Sequence, residues 1–295
     1  MPDSLRLIIV SGLSGSGKSV ALHALEDLNY YCIDNLPAAL LEAAVADVRA
    51  GDDPVNMLAV GVDARTRKAD LLALPQVLRN LKKQNVKAEL IFLHASDAIL
   101  MKRYSESRRR HPLATAETEL QVAIETERDI LAEIQNSADL IIDTSHSSIY
   151  ELAEVIRNRI DRRKTESLSV LVQSFGFKYG IPADADFVFD LRCLPNPYWT
   201  VELRGLTGLD REVSDYLNSK DNFVAMHDDI LAFLLRWIPN YQEARRSYLT
   251  VAIGCTGGQH RSVCMTEMLV ASLREKHEPV LIRHNSLTGH RLNPD

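Results

Sequence analysis

The sequence predicts a two-domain α/β protein: an N-terminal parallel-sheet domain of the P-loop kinase-like kind, followed by a second, smaller α/β domain. Three observations carry this. The stretch Gly12-Leu13-Ser14-Gly15-Ser16-Gly17-Lys18-Ser19 follows an apolar run at 5–10 and opens a helical pattern at 20–28. Short apolar runs then alternate with helical patterns through the first half, which implies a parallel sheet covered on both faces. The pattern restarts after a charged, polar run at 157–168, and a second strand–loop–helix follows at 248–274.

Strand, glycine-rich loop, Lys, Ser and helix make up the phosphate-binding loop of nucleoside-triphosphate proteins. The glycines free the backbone to curl, so that N–H groups can point at phosphate oxygens. The helix N-terminus behind them adds partial positive charge. Lys18 is expected to reach the β- and γ-phosphates and to serve catalysis, and the Ser19 hydroxyl is expected to hold Mg²⁺.

Composition sets the bounds. A chain of 295 residues can build two cores. Its 46% hydrophobic and 25% charged content is ordinary for a globular protein. The net charge of -6 means that any nucleic-acid contact must come from local basic patches. Cys32, Cys193, Cys255 and Cys264 form no C-x-x-C pair, which argues against a zinc or thioredoxin-like site. No signal peptide and no membrane-length apolar run is recognised. A nucleotide site with unpaired cysteines predicts a reducing cytoplasm.

In the first half, further strands are expected at 31–33, 57–62, 89–93 and 140–142, ending at Asp34, Asp63, His94 and Asp143. Helices are expected near 38–50, 67–84, 97–109, 116–135 and 147–163. Polar residues at the C-terminal ends of parallel strands line the ligand crevice. Asp63, in Gly61-Val62-Asp63-Ala64-Arg65-Thr66, is the candidate second acidic group, acting on Mg²⁺ directly or through water. Asp34 competes for that role, and a helix-capping Asp is the plainer alternative. Asp143-Thr144-Ser145 reads as a helix start. The basic segment 102–112, with Arg108, Arg109 and Arg110, is placed like the arginine-rich lid of nucleotide kinases; a solvated helix end fits it equally. The base-reading signature Asn-Lys-x-Asp is missing, so ATP and GTP both stay open. The run Arg157, Arg159, Arg162, Arg163, Lys164 and Thr165-Glu166-Ser167, itself readable as a solvated helix end, places the boundary between domains 1–164 and 165–295.

The second half offers strands at 168–173, 187–191 and 248–253, and helices near 210–219 and 223–238. A glycine-rich aromatic loop lies at 174–182, and an irregular loop with two prolines at 192–199. Gly254-Cys255-Thr256-Gly257-Gly258-Gln259-His260-Arg261-Ser262 then leads into a helix. This has the logic of an anion site, with Arg261 able to grip a phosphate. Cys255 and Arg261 also have the C-x₅-R-S spacing of cysteine phosphatases. Gly254 stands where those enzymes usually carry His, and no general acid can be placed, so binding is favoured over catalysis. After 274, Arg274, Lys276, His277, Arg283, His284, His290 and Arg291 could contact RNA phosphates or form a solvated end.

Together these segments resemble the RapZ family, the YvcJ-type nucleotide-binding proteins. The resembling motifs are GLSGSGKS at 12–19, YYCIDNLP at 30–37, the D-x-R element at 63–65, SESRRRHPL at 105–113, SFGFKYGIP at 174–182, DLRCLPNPY at 190–198 and GCTGGQHRS at 254–262. The resemblance implies a kinase-like domain that binds and slowly hydrolyses ATP or GTP at Gly12 through Ser19, with a second element at Asp63, Ala64, Arg65 and Thr66. It implies a phosphosugar site, for glucosamine-6-phosphate in enteric members, at Thr256, Gly257, Gly258, His260 and Arg261. It also implies a homo-oligomeric adapter that presents small regulatory RNA to the endonuclease RNase E. Three departures stand out: D-A-R-T where the family often has D-V-R-N, Tyr198 where enteric members have His, and a final stretch, 287–295, without their dense Lys/Arg cluster.

Overall fold

The computed structural model describes residues 5–50, 55–64, 68–107, 110–114, 119–160 and 167–287. It divides into two compact units, Met1–Arg157 and Asn158–Asp295. In chain order the first contains β1 (Arg6–Gly12), α1 (Lys18–Glu26), β2 (Tyr31–Ile33), α2 (Leu41–Ala50), β3 (Met57–Gly61), α3 (Lys68–Lys83), β4 (Lys87–His94), α4 (Asp97–Ser107), α5 (Leu120–Asn136) and β5 (Leu140–Asp143). The division falls inside α6 (Ile149–Ile160).

The five described strands of this unit are parallel, in the order β2-β3-β1-β4-β5. The central strands are unbroken apolar runs because both faces are covered; Leu7, Ile8, Ile9 and Val10 are fully buried. The chain builds β2 and β3 on one side of β1, then β4 and β5 on the other. The C-terminal end of β1 is therefore the switch point where α/β sheets bind ligands, and the glycine loop starts there.

The second unit contains β6 (Ser169–Gly176), β7 (Phe187–Asp190), α7 (Arg211–Asn218), α8 (Asp221–Glu243), β8 (Tyr248–Cys255), α9 (Arg261–Arg274) and β9 (Val280–His284). Its sheet is parallel in the order β7-β8-β6-β9. This repeats the arrangement of the first four strands of the other sheet: second, third, first, fourth. Helix α9 lies against β6, β8 and β9, and α8 packs on α9. Val172, Val251, Ile253, Met265 and Leu269 form the middle of that core.

Several expectations change. The stretch after 274 contains β9, paired with β6. Arg274, His277, Arg283 and His284 have side-chain partners within the unit. Arg283 bonds to Gln173 and pairs with Asp184. His284 meets Ser174 and Glu267 at 2.8 and 2.9 Å. His277 Nε2 donates to Leu168 O at 2.8 Å, and Arg274 Nε to Val280 O at 3.3 Å. His290 and Arg291 lie outside the described residues. The expected loop at 174–182 starts later, because β6 stays in register with β8 as far as Gly176–Cys255.

Asp143-Thr144-Ser145 is a turn, not a helix start: Asp143 Oδ1 accepts the Ser145 N–H and hydroxyl at 2.8 and 2.6 Å. Helix α6 begins behind Ser148, which exchanges two hydrogen bonds with Glu151 as a capping box. Arg159 is not solvated. It is buried, donates to Ser169 O and Thr250 Oγ1 at 3.2 and 2.9 Å, and lies over the Tyr248 ring. Burial pulls its pKa down to about 10. Arg162, Arg163, Lys164, Thr165 and Glu166 lie outside the described residues. Helix α8 continues through Pro239 to Glu243.

Candidate nucleotide and anion sites

The loop after β1 is shaped by its glycines. Gly12 has φ 144°, and a Cβ there would lie 2.3 Å from Leu93 O. Gly17 is the left-handed N-cap of α1 at φ 108°. Neighbouring elements then hold the turn. Leu13 N–H donates to Leu93 O at 3.2 Å, and Ser16 N–H to Leu13 O at 2.9 Å. Arg103 of α4 donates to Gly15 O at 3.0 Å and to Thr144 O at 2.6 Å. The Thr144 hydroxyl donates to Ser16 O at 2.9 Å. Burial lowers the Arg103 pKa, and the charges of Asp143 and Glu106 partly restore it.

Lys18 Nζ donates to Gly12 O at 2.8 Å, and Ser19 is exposed in the first turn of α1. Sequence reasoning missed Glu127 of α5. Its carboxylate accepts the Ser14 N–H at 2.8 Å and the Ser14 hydroxyl at 2.6 Å. His111 Nε2 stands 3.2 Å from the same carboxylate. Both Glu127 and His111 are buried. Burial alone would raise the Glu127 pKa; the hydrogen bonds from His111 and Ser14 and the charge of Lys18 outweigh it, so the net shift is downward. The signal that could have found this pair was an acid within the apolar stripe of α5.

Asp63 is buried just beyond β3, next to Val62, whose N–H donates to Val10 O at 3.0 Å. Ala64 is also buried. Asp34 is exposed at the neighbouring strand end, where a Cβ on Gly61 would come within 2.6 Å of its Oδ1. Arg65 and Thr66 lie outside the described residues, as do Arg108 and Arg109.

The second loop joins β8 to α9. Cys255 Sγ accepts the Gly258 N–H at 3.2 Å and faces the Ser262 hydroxyl at 3.2 Å. Gly258 has φ 71°, and a Cβ there would lie 2.6 Å from Gly176 N. Arg261 is buried beneath the loop. Its Nη1 donates to Leu191 O, Arg192 O and Leu194 O at 3.3, 3.1 and 2.8 Å, and its Nη2 to Thr256 Oγ1 at 3.3 Å. The residue expected to grip an anion also ties down the loop after β7. Tyr198, on that loop, is exposed with Arg204 over its ring at 5.0 Å.

His260 caps α9 and donates from Nε2 to Leu203 O at 3.2 Å. Burial lowers its pKa below 6.5, against smaller opposing effects of its backbone bonds. A depressed pKa makes the folded state bind fewer protons than the unfolded one, so stability is lost as pH falls. For His260 that loss begins near 6.5; for Glu127 it begins near 4.5. Both tryptophans, Trp199 and Trp237, lie in the second unit. Urea midpoints followed by tryptophan fluorescence should therefore fall between about pH 7.5 and 5.5, and fall less in His260→Gln.

A glycine loop ending in Lys-Ser, set at the switch point of a β2-β3-β1-β4-β5 parallel sheet, defines a P-loop kinase-like fold. The RapZ-like N-terminal domain family matches residues 5–164, and the RapZ C-terminal domain family matches residues 168–288. The chain belongs to the RapZ family. A nucleotide-binding protein of Halorhodospira halophila is 50% identical over 287 residues, covering 97% of this chain and 100% of that one. One of Hahella chejuensis is 47% identical over 284 residues, covering 96% and 99%. Among solved structures, the shikimate kinase of Bacteroides thetaiotaomicron gives a TM-score of 0.36 at 17% identity, covering 53% of this chain and 98% of that one. Among the described residues no helix is long and apolar enough to cross a membrane.

Proposed function

We propose that the chain is a nucleotide-dependent regulator with two anion sites. The first unit binds ATP or GTP at Gly12 through Ser19 and hydrolyses it slowly. The second takes a phosphosugar such as glucosamine-6-phosphate at Thr256, Gly257, Gly258, His260 and Arg261. As the family resemblance implies, it acts in the cytoplasm as a homo-oligomer that presents small regulatory RNA to RNase E. The observation that supports this reading is the pair of strand–glycine loop–helix units, only one of which carries the Lys-Ser ending of a triphosphate site. The oxygen donors of exposed Ser19 and buried Asp63 suit Mg²⁺, which takes one or two protein ligands beside phosphate oxygens. There it would neutralise charge on the phosphates.

Gly257→Ala tests the metabolite half. A Cβ at Gly257 meets nothing within 4 Å, so the fold should accept it while the cradle narrows. Calorimetry with glucosamine-6-phosphate should show at least about tenfold weaker binding, roughly 1.4 kcal/mol, with unchanged thermal unfolding. The same titration with a labelled structured RNA present should displace the RNA. No heat from the parent protein overturns the phosphosugar; parental affinity in Gly257→Ala overturns its placement at this loop. No competition leaves the RNA role without support.

A further inference from the structure

We infer that Glu127 and His111 are positioning residues of the nucleotide site, acting on the phosphate loop through Ser14. The inference rests on the nucleotide reading of that loop and goes beyond it, because neither residue belongs to the P-loop motif.

A single carboxylate takes both polar groups of Ser14, across a sequence separation of 113 residues. Two bonds from one side chain fix the direction of the peptide entering Ser14 as well as the position of its hydroxyl. Glu127 is 0% exposed, and a buried carboxylate is tolerated only when hydrogen-bonded and near positive charge. Ser14 supplies two donors. His111 supplies the third: Leu113 N–H donates to its Nδ1 at 3.2 Å, so the ring proton sits on Nε2, facing Glu127. Lys18 supplies the charge, being among the groups that hold Glu127 ionised.

The other side of the loop is held by its carbonyls. Arg103 binds Gly15 O, and Thr144 binds Ser16 O. A trans peptide points its N–H opposite its C=O, so the Gly17 N–H is turned away from Thr144. The loop is thus clamped by Glu127 on an amide and by Arg103 and Thr144 on carbonyls. His111 extends the clamp to the segment before α5: its ring lies 5.2 Å from that of Tyr104, which also borders Gly15. Glu127 therefore sets loop geometry before any nucleotide binds, and losing it should affect affinity more than turnover.

The test uses the full chain, fluorescent ATP and GTP analogues, and steady-state phosphate release. Glu127→Gln keeps the shape and removes the charge. It should raise Kd and KM about tenfold, with kcat within about twofold. Ser14→Ala, which removes one hydroxyl and leaves the amide bond, should raise them about threefold. The double variant should be no weaker than Glu127→Gln alone. Hydrogen exchange of the peptide spanning the loop should be faster in nucleotide-free Glu127→Gln than in the parent. Additive effects, or parental affinity in both single variants, would overturn the inference. If Glu127→Gln does not fold, Ser14→Ala decides: parental Kd and KM in that variant overturn it. Absence of nucleotide binding by the parent would instead overturn the nucleotide reading.

Discussion

Lys18→Ala should weaken ATP and GTP binding about 100-fold, since hydrogen bonds to charged groups are worth roughly 1.5–3 kcal/mol each and Lys18 is expected to make more than one. In the protein alone this side chain is half-buried and donates to Gly12 O at 2.8 Å. The variant gives up that bond and a charge near Glu127, which costs some stability, but the bonds from Ser14 and His111 to the carboxylate remain, so the first unit should stay folded. Titration with fluorescent nucleotides, beside thermal unfolding, checks both parts. Parental affinity in a folded variant would remove the assignment of this loop.

Arg261→Ala should destabilise the second unit by about 3 kcal/mol, and the loss should appear in urea unfolding followed by tryptophan fluorescence. The guanidinium donates to three carbonyls, of Leu191, Arg192 and Leu194. Leu191 and Leu194 are themselves buried, and a buried acceptor left unmade costs about 1–3 kcal/mol. An unchanged urea midpoint would show that Arg261 has no such structural part. The outcome also governs how ligand experiments are read. Weak phosphosugar binding by Arg261→Ala would mix a lost contact with a loosened loop, which is why Gly257→Ala is the cleaner probe.

The parallel strands of both units, Val280–His284 excepted, were legible because buried strands must be apolar runs. The two strand–glycine loop–helix turns were legible because their glycines, Lys18 and Arg261 stand at fixed spacings on the chain. What stayed hidden depends on contacts between distant residues. Val280–His284 looked like a polar end because two of the edge strand's five side chains, Arg283 and His284, are basic; only Asp184, Gln173, Ser174 and Glu267 make those residues internal. Glu127 gave no local signal of its partner 113 residues away. Arg261 stood out as an anion ligand, but no spacing rule announces the three carbonyls it ties together. The helix expected near 223–238 runs on through Pro239 to Glu243, with Ile230, Leu234 and Ile238 buried along it.

The grip of Arg103 and Thr144 on the glycine loop has a kinetic consequence. A loop already held in its working shape has no folding step to complete when a nucleotide arrives. Association should then be a single concentration-dependent phase, without a slower second phase. Substitutions around the loop should be felt chiefly in how long the nucleotide stays, because for a preformed site differences in affinity reside mostly in the dissociation rate.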